Sequence, residues 1–528
     1  MLNTPRARRG MVTAPHHLAS QTGLAVLREG GTAIEACVAM AATLAVVYPH
    51  MTGIGGDGFW LVAAPGGAPL AIDASGRAGT DATPDFYRRR GLDQIPWRGA
   101  LAANTVAGTV SGWAEALAVS AEWGGRLPLA RLLEDAIGHG ENGFAVSASQ
   151  ALLTEEKLPE LRDVPGFAEQ FLPGGAPPKE GSTLKLPALA RTLRAVATQG
   201  LDGFYRGELA RGIAADLARL GSPVGAADLA RQRAERRNPL ALRLKPGTVF
   251  NHPPPTQGLS SLMILGLFER LNVRAAETFD HLHGLIEATK QAFLVRDAHV
   301  GDPDAMTRDP EDFLRAAFLD RLAGRIGHRA LPWPAPATTG DTVWMGAIDG
   351  EGRAASFIQS VYFEFGSGVV LPQSGIQWQN RGSSFRLAGP GPTVLAPGRK
   401  PFHTLNPALA RFDDGRIMVY GTMGGEGQPQ TQAAIFTRYA YFGQGLQAAV
   451  TAPRWLLGRT WGEPSVTLKL ESRFDPALIA ALRAAGHDVE MLADFTSIMG
   501  HAGAVVRRPD GTLEGAADPR SDGAVAAF

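Results

Sequence analysis

Three features of this 528-residue sequence could act together on an acyl group. Thr342 follows Asp341 at the start of TVWMGAID, a segment that reads as a β-strand, and the Gly/Thr-rich loop ATTGD runs into it. A threonine hydroxyl is a weak nucleophile unless a base sits beside it. Its own α-amine is one economical base, available once the peptide bond before it is cut. Gly424 and Gly425 belong to Gly421-Thr422-Met423-Gly424-Gly425, a turn after the strand RIMVYGT, and backbone N–H groups in such a turn can hold a developing oxyanion. Ser360 lies on RAASFIQSVY, the expected hairpin partner of the Thr342 strand, where its hydroxyl would polarise or position the nucleophile. Each feature is ordinary alone. Together they point to acyl transfer by a precursor that cuts itself.

Rival chemistries lack their residues. Neither HExxH nor HxxxH occurs, and His16-His17 and His281-Leu282-His283 have no acidic ligands at useful sequence spacing, so no metal is expected. GIGGDG lacks the GK[ST] ending of a phosphate loop and follows a helical segment, and no GxSxG elbow is present. The 51 basic and 51 acidic residues cancel, which argues against a nucleic-acid or membrane-surface partner. Cys37 is the only cysteine, so no intrachain disulfide or CxxC site can form; in AIEACVAMAATLAVV it reads as a small buried side chain. The apolar run 36–47 is too short to span a bilayer, and MLNTPRARRGMVTAPHHLAS has no apolar signal core. A cytoplasmic protein without membrane partners is the expectation.

The elements around these residues follow from periodicity. Two helices are expected over 16–47, broken at Gly30-Gly31, then a loop through Gly53-Ile54-Gly55-Gly56-Asp57-Gly58. GFWLVAA and PLAIDA, joined by Pro65-Gly66-Gly67, read as a hairpin, and 106–219 is mostly helical. Helices are expected at GLSSLMILGLFERL and over 278–295, then Pro-rich loop over 306–341. From Thr342 on, strands dominate, interrupted by helices near 432–442 and 476–485. Neither part has a full set of strands and covering helices, so one fold is expected from both.

Taken in order, GMVTAPHHLASQTGLAVLREGGTAIEACVA, PHMTGIGGDGF, NHPPPTQG, RDAHVGDPD, MGGEG and GAADPRSDG resemble the motifs of the γ-glutamyltranspeptidase family of N-terminal-nucleophile hydrolases, nearly end to end. The resemblance implies an α/β (α+β) fold, the four-layer αββα sandwich. It implies autocleavage between Asp341 and Thr342, giving a large subunit 1–341 and a small subunit 342–528 that stay together as one αββα domain. That heterodimer is the expected partner relation, with a dimer of heterodimers open. Thr342 would be the nucleophile, its amine the base, Gly424 and Gly425 the oxyanion donors, and Ser360 the neighbouring hydroxyl. No cofactor is implied.

The substrate side departs from the γ-glutamyl enzymes. Their carboxylate-gripping arginine is displaced to Arg77, Tyr362 replaces an asparagine, Ser384 stands where they bind the substrate ammonium with an acidic residue, and His403 and Thr404 replace paired serines. Arg381 adds positive charge nearby. A substrate cation left unpaired in a closed site would cost several kcal/mol, so this pattern fits an anionic amide without an amino group. It resembles the branch of the family that splits oxamate into oxalate and ammonia, with Arg77, Tyr362, Arg381, Ser384, His403 and Thr404 lining the substrate. The alternatives are a γ-glutamyl hydrolase or transferase acting on glutathione, and an acylase that removes a dicarboxylic acyl group.

Overall fold

Strands buried on both faces need a layer on each side, and two strands beside Thr342 are of that kind. Every residue of Ala354–Tyr362 and of Asp57–Ala63 is buried. The computed structural model describes residues 3–333, 341–458 and 465–528, and in it two seven-stranded antiparallel sheets stack face to face. The first runs Ala524–Ala527, Met11–Ala14, Asp341–Ile348, Ala354–Tyr362, Asp57–Ala63, Leu70–Ala74, Glu235–Arg237. The second runs Arg6–Ala7, Leu513–Ala517, Ala502–Arg507, Ile417–Thr422, Ala408–Phe412, Gly247–Asn251, Leu240–Leu244. Strands from before and after residue 341 are interleaved in both sheets, so neither part has a complete sheet of its own.

Helices close the two outer faces. His17–Arg28 and Ala33–Val47 pack on the first sheet, and Gly258–Arg270 and Gln428–Phe436 pack on the second, with Phe279–His299 packed against those two helices. Ala33–Val47 is buried along its whole length, Cys37 included, and burial pushes that thiol's pKa up. Thr32 and Glu35 close a capping box at its start. Asp349, in the turn after the Thr342 strand, accepts from Ala33 N at 3.0 Å and from Arg353 Nε at 2.7 Å, which fixes the helix start to that hairpin. The result is the αββα sandwich.

Between the sheets, Trp344 fills a slot floored by glycines of the opposite sheet. A Cβ on Gly421 would lie 2.2 Å from the Trp344 ring and one on Gly503 2.6 Å from it, while the indole N–H donates to Ser356 Oγ at 3.0 Å. Two residues from Thr342, this slot sets the height of the strand above the second sheet.

Two sequence expectations change. The stretch 306–341 contains helical turns at Pro310–Leu314 and Ala316–Ala323, the latter amphipathic enough to pack Leu319 and Leu322 inward; residues 334–340, with most of the ATTGD loop, lie outside the described residues. The helix expected near 432–442 begins at Gln428, where Pro429 suits a first turn, and gives way to a π-turn over Thr437–Tyr441. Among the described residues no helix is long and apolar enough to cross a membrane.

Gly421→Ala should force Trp344 to move, costing about 1–3 kcal/mol as an overpacked core does. The expected outcome is a lower melting temperature with slower maturation on a denaturing gel; unchanged values for both would mean the slot is looser than its geometry.

Candidate active site

Thr342 is fully buried in the first sheet, where the pairing register slips. Asp341 pairs with Tyr362 and Val343 with Gln359, so Ser360 and Val361 together oppose Thr342. Such a bulge re-aims a side chain and loosens the local ladder. Gln428 Nε2 lies 3.4 Å from Thr342 Oγ1, and its Oε1 accepts from Asn406 N at 3.2 Å. Ser360 Oγ accepts from Tyr362 N at 2.8 Å. Tyr362 has φ 86°, unusual for a residue with a side chain, and strain of this kind gathers at functional sites. Gly56 lets the neighbouring loop approach: a Cβ there would sit 2.0 Å from the Ser360 carbonyl.

The glycine turn is where the sequence places it, between the strand Ile417–Thr422 and the helix beginning at Gln428. Gly424 has φ 122° and Gly425 φ 50°, values that favour glycine at both positions. What holds this turn is a buried network that the sequence reading did not assign. Arg296 Nη2 donates to Glu426 Oε2 at 2.9 Å and Arg296 Nη1 to Gln257 Oε1 at 3.0 Å. Gln257 Nε2 then donates to the Gly425 and Thr404 carbonyls, each at 2.7 Å. Gln257 lies at the end of the NHPPPTQG motif and Arg296 opens RDAHVGDPD, so motif membership was their only signal.

Arg381, Tyr362, His403 and Thr404 come together beside the strand that carries Thr342. The Arg381 guanidinium is 1% exposed and stacks 3.5 Å above the Tyr362 ring. Its Nη1 donates to Thr404 Oγ1 at 3.4 Å, while Nε and Nη2 find no hydrogen-bond partner among the described residues. Burial, opposed by Tyr362, Asp57 and Glu426, pulls its pKa down. His403 is fully buried against Phe59, and both ring nitrogens lack a hydrogen-bond partner among the described residues. Burial and then Arg381 hold its pKa well below the usual range, so the ring is neutral. Its Nε2 lies 3.4 Å from Asp57 Oδ2.

Asp57 is a site residue that spacing alone did not reveal. Its Oδ1 accepts from Gly76 N, Gly108 N and Gln379 Nε2 at 2.9, 3.0 and 3.1 Å, while Oδ2 faces His403. Burial outweighs those three bonds and pushes the carboxyl up to about 7. Nearby, Asp73 is buried too, yet Lys400 at 2.7 Å, with the Ser75 hydroxyl, holds it ionised below the usual carboxylate range.

Ser384 and Arg77 stand apart from this group. Ser384 Oγ donates to the Arg381 carbonyl at 3.0 Å and approaches that of Phe402 at 3.4 Å; the residue lines an open pocket of about 460 Å³ that also touches Tyr362 and Trp97. Arg77 is not brought to Arg381. The Gly76 N–H points to Asp57, but the next side chain leaves for the surface, where it meets Glu235 and Asp304 at 3.4 Å each and the Gly398 carbonyl at 3.1 Å.

The fold also supplies an acidic partner that local spacing hid from the histidines. His283, Glu287 and His487 meet in the interior, far apart in sequence but within ligand distance of one another. Their contacts are internal: His283 Nδ1 and His487 Nε2 are 2.9 Å apart, and Glu287 pairs with Lys290 at 2.7 Å. His283 Nε2 donates to Gly327 O, while Glu287 accepts from Leu331 N, so the cluster ties down the chain leading towards Thr342.

Glu426→Gln should remove the buried carboxylate that anchors Arg296 Nη2, leaving Arg296 only Asp297 as a charge partner, and loosen the Gly425 turn. Misplacement of about 1 Å at a reacting centre costs on the order of 100-fold, so kcat should fall about 10- to 100-fold, by steady-state kinetics, with KM little changed. An unaltered kcat would show that the turn holds itself.

The Gamma-glutamyltranspeptidase family profile matches residues 19–528. Oxamate amidohydrolase proenzyme of Klebsiella pneumoniae subsp. pneumoniae is 58% identical over 98% of both chains, and the glutathione hydrolase-like YwrD proenzyme of Bacillus subtilis is 41% identical over 97% of both. The crystal structure of cephalosporin acylase from Bacillus halodurans superposes with a TM-score of 0.91 at 34% identity, covering all of this chain and 97% of that one. These similarities, spread along the whole sandwich and the Thr342 site, make the chain a member of the γ-glutamyltranspeptidase family.

Proposed function

We propose that this chain is a self-processing amidohydrolase that hydrolyses a small anionic amide, with oxamate as the substrate. The observation that carries the substrate class is Arg381: a buried guanidinium beside the nucleophile strand, with two donor nitrogens unpartnered and no ion pair to a described carboxylate. A buried cation left this way costs several kcal/mol unless an anion completes it. The 58% identical relative is named for oxamate, whose carboxylate sits directly beside its amide.

In maturation the Thr342 hydroxyl attacks the Asp341 carbonyl, the acyl group passes from nitrogen to oxygen, and water hydrolyses the ester. Dividing 55.7 kDa by length gives subunits of about 36 and about 20 kDa. They stay paired as a heterodimer because their strands are interleaved in both sheets. The freed amine of Thr342 then takes the hydroxyl proton as the oxygen attacks the substrate amide. N–H groups of Gly424 and Gly425 receive the oxyanion, Ser360 positions the hydroxyl, and Arg381 orients the carboxylate. Ammonia leaves with the proton, and water, deprotonated by the same amine, releases oxalate. The same proposal keeps the cytoplasmic location expected from the sequence.

A γ-glutamyl substrate would bring an ammonium. Ser384 offers it a hydroxyl already directed at backbone carbonyls, and Asp57 has one oxygen filled by three donors and the other facing His403.

Purified protein should release ammonia from oxamate and no chromophore from a γ-glutamyl anilide; the reverse pattern would return it to the glutathione class. Thr342→Ala should run as one uncut band, and a cleaved variant would rule out Thr342 as the processing nucleophile. Arg381→Lys keeps the charge but loses the planar pair of donors, so KM for oxamate should rise about 10- to 100-fold, as loss of one charged hydrogen bond implies. An unchanged KM would place the carboxylate elsewhere.

A further inference from the structure

The Arg381 pocket holds more unpartnered polar atoms than one guanidinium supplies. Arg381 Nε and Nη2, both nitrogens of His403 and Asp57 Oδ2 are all buried without a hydrogen-bond partner among the described residues. Buried polar atoms are paired almost everywhere in folded proteins, so a cluster of five marks a place where something else binds. The two on Arg381 are donors and would welcome a carboxylate. Asp57, when ionised, would repel it.

The surrounding charges are settled. Asp73 is matched by Lys400 and Arg296 by Glu426. The groups that face Asp57 and His403 from the other packed elements are His252, the Tyr205 hydroxyl, the Gln379 amide and the Gly76 and Gly108 N–H groups, none of them charged. What remains is Arg381 against Asp57, a neutral sum. An incoming carboxylate makes that sum −1 in a closed, poorly screened site, and uptake of one proton restores it to zero.

We propose that the Asp57–His403 pair takes up one proton from solvent when the substrate carboxylate docks on Arg381. This rests on the anionic-amide reading above. The geometry gives the proton a second consequence. With Asp57 ionised, the neutral His403 ring donates Nε2–H towards Oδ2, and Nδ1 is a bare acceptor, facing any anion with a lone pair. Once the pair gains a proton, whether it rests on Oδ2 or on Nε2, Nδ1 carries a hydrogen and becomes a donor. Proton uptake thus removes one repulsion and creates one attraction. Asp57 acts through His403 as a positioning residue, and the two set specificity for a substrate that brings a negative charge and no positive one. The Asp57 carboxyl, raised by burial to about 7, is mostly ionised in the free protein above that pH, and there the docking substrate must draw the proton from solvent.

The test compares oxamate hydrolysis by the mature wild-type enzyme with that by Asp57→Asn, over a range of about pH 6 to 9 that brackets the raised carboxyl. The amide that this substitution introduces keeps an oxygen for Gly76 and Gly108 and donates to His403 Nε2, which fixes Nδ1–H at every pH. Both enzymes share the limb owed to the Thr342 amine, so the ratio of their kcat/KM values cancels it. That ratio, wild type over variant, should be level below about pH 7 and fall above it, approaching tenfold per pH unit, the signature of one proton bound with substrate. A ratio independent of pH would overturn the inference. Should the variant fail to mature, wild-type KM decides alone: a rise above about pH 7 supports proton uptake, and a flat KM overturns it. Ammonia release with a flat profile would sink this inference only, whereas no release from oxamate at any pH would sink the amidase reading and this inference with it.

Discussion

A strand paired on both sides in the middle of a sheet cannot wander, and the rest of this site depends on that constraint. Gly346–Ile348 pair with Met11–Thr13 on one side, and the strand from Val343 onward pairs with Ala354–Gln359 on the other, with Trp344 wedged against glycines of the second sheet. The ladder is therefore regular from Val343 onward and irregular at Thr342, where the register slips. Rigidity places the hydroxyl; the bulge frees it from the strict alternation of a pleated strand. Because strands from both sides of residue 341 fill both sheets, a cut before Thr342 would remove one backbone bond and leave every ladder in place.

Around that fixed point, the buried charges divide into two kinds. Pairs such as Arg296–Glu426 and Asp73–Lys400 are complete, and they hold backbone: the first steadies the Gly424-Gly425 turn, and the second sits beneath the loop that bears His403. Arg381 and Asp57 are incomplete. Complete buried pairs give shape, since breaking one strands the other partner. Incomplete ones give affinity, because a ligand of the right sign relieves a cost already built into the free protein. The division accounts for an interior rich in charge in which two Arg381 nitrogens still lack a hydrogen-bond partner among the described residues.

Similarity along the whole chain gives the family but not the branch of its chemistry. A glutathione hydrolase-like proenzyme and a cephalosporin acylase match the same scaffold almost end to end. In this chain a stacked tyrosine, a neutral histidine and a raised carboxyl gather around Arg381.

Much of the architecture was legible in the sequence because it rests on local patterns. The hairpin around Pro65-Gly66-Gly67, the strands from Thr342 onward and the helix 476–485 follow from alternation, turn residues and periodicity, and the Gly424-Gly425 turn and the strand-start threonine could be read directly. Arg381, Tyr362, His403 and Thr404 do meet, as the motif order implied. Other matters needed the tertiary structure. Arg77 joins surface carboxylates because a side chain's destination depends on which way the chain leaves Gly76. Asp57 and His403, 346 positions apart, and the Gln257–Arg296–Glu426 network are joined only by sheet packing, and no periodicity encodes such long-range neighbours. The same holds for His283, Glu287 and His487. Sequence by itself determined the strand that begins at Thr342 and the glycine turn facing it, since both are written in residue type and short spacing. Only the folded chain decided which charges are matched and which are left waiting, since desolvation and pairing are properties of the enclosed space.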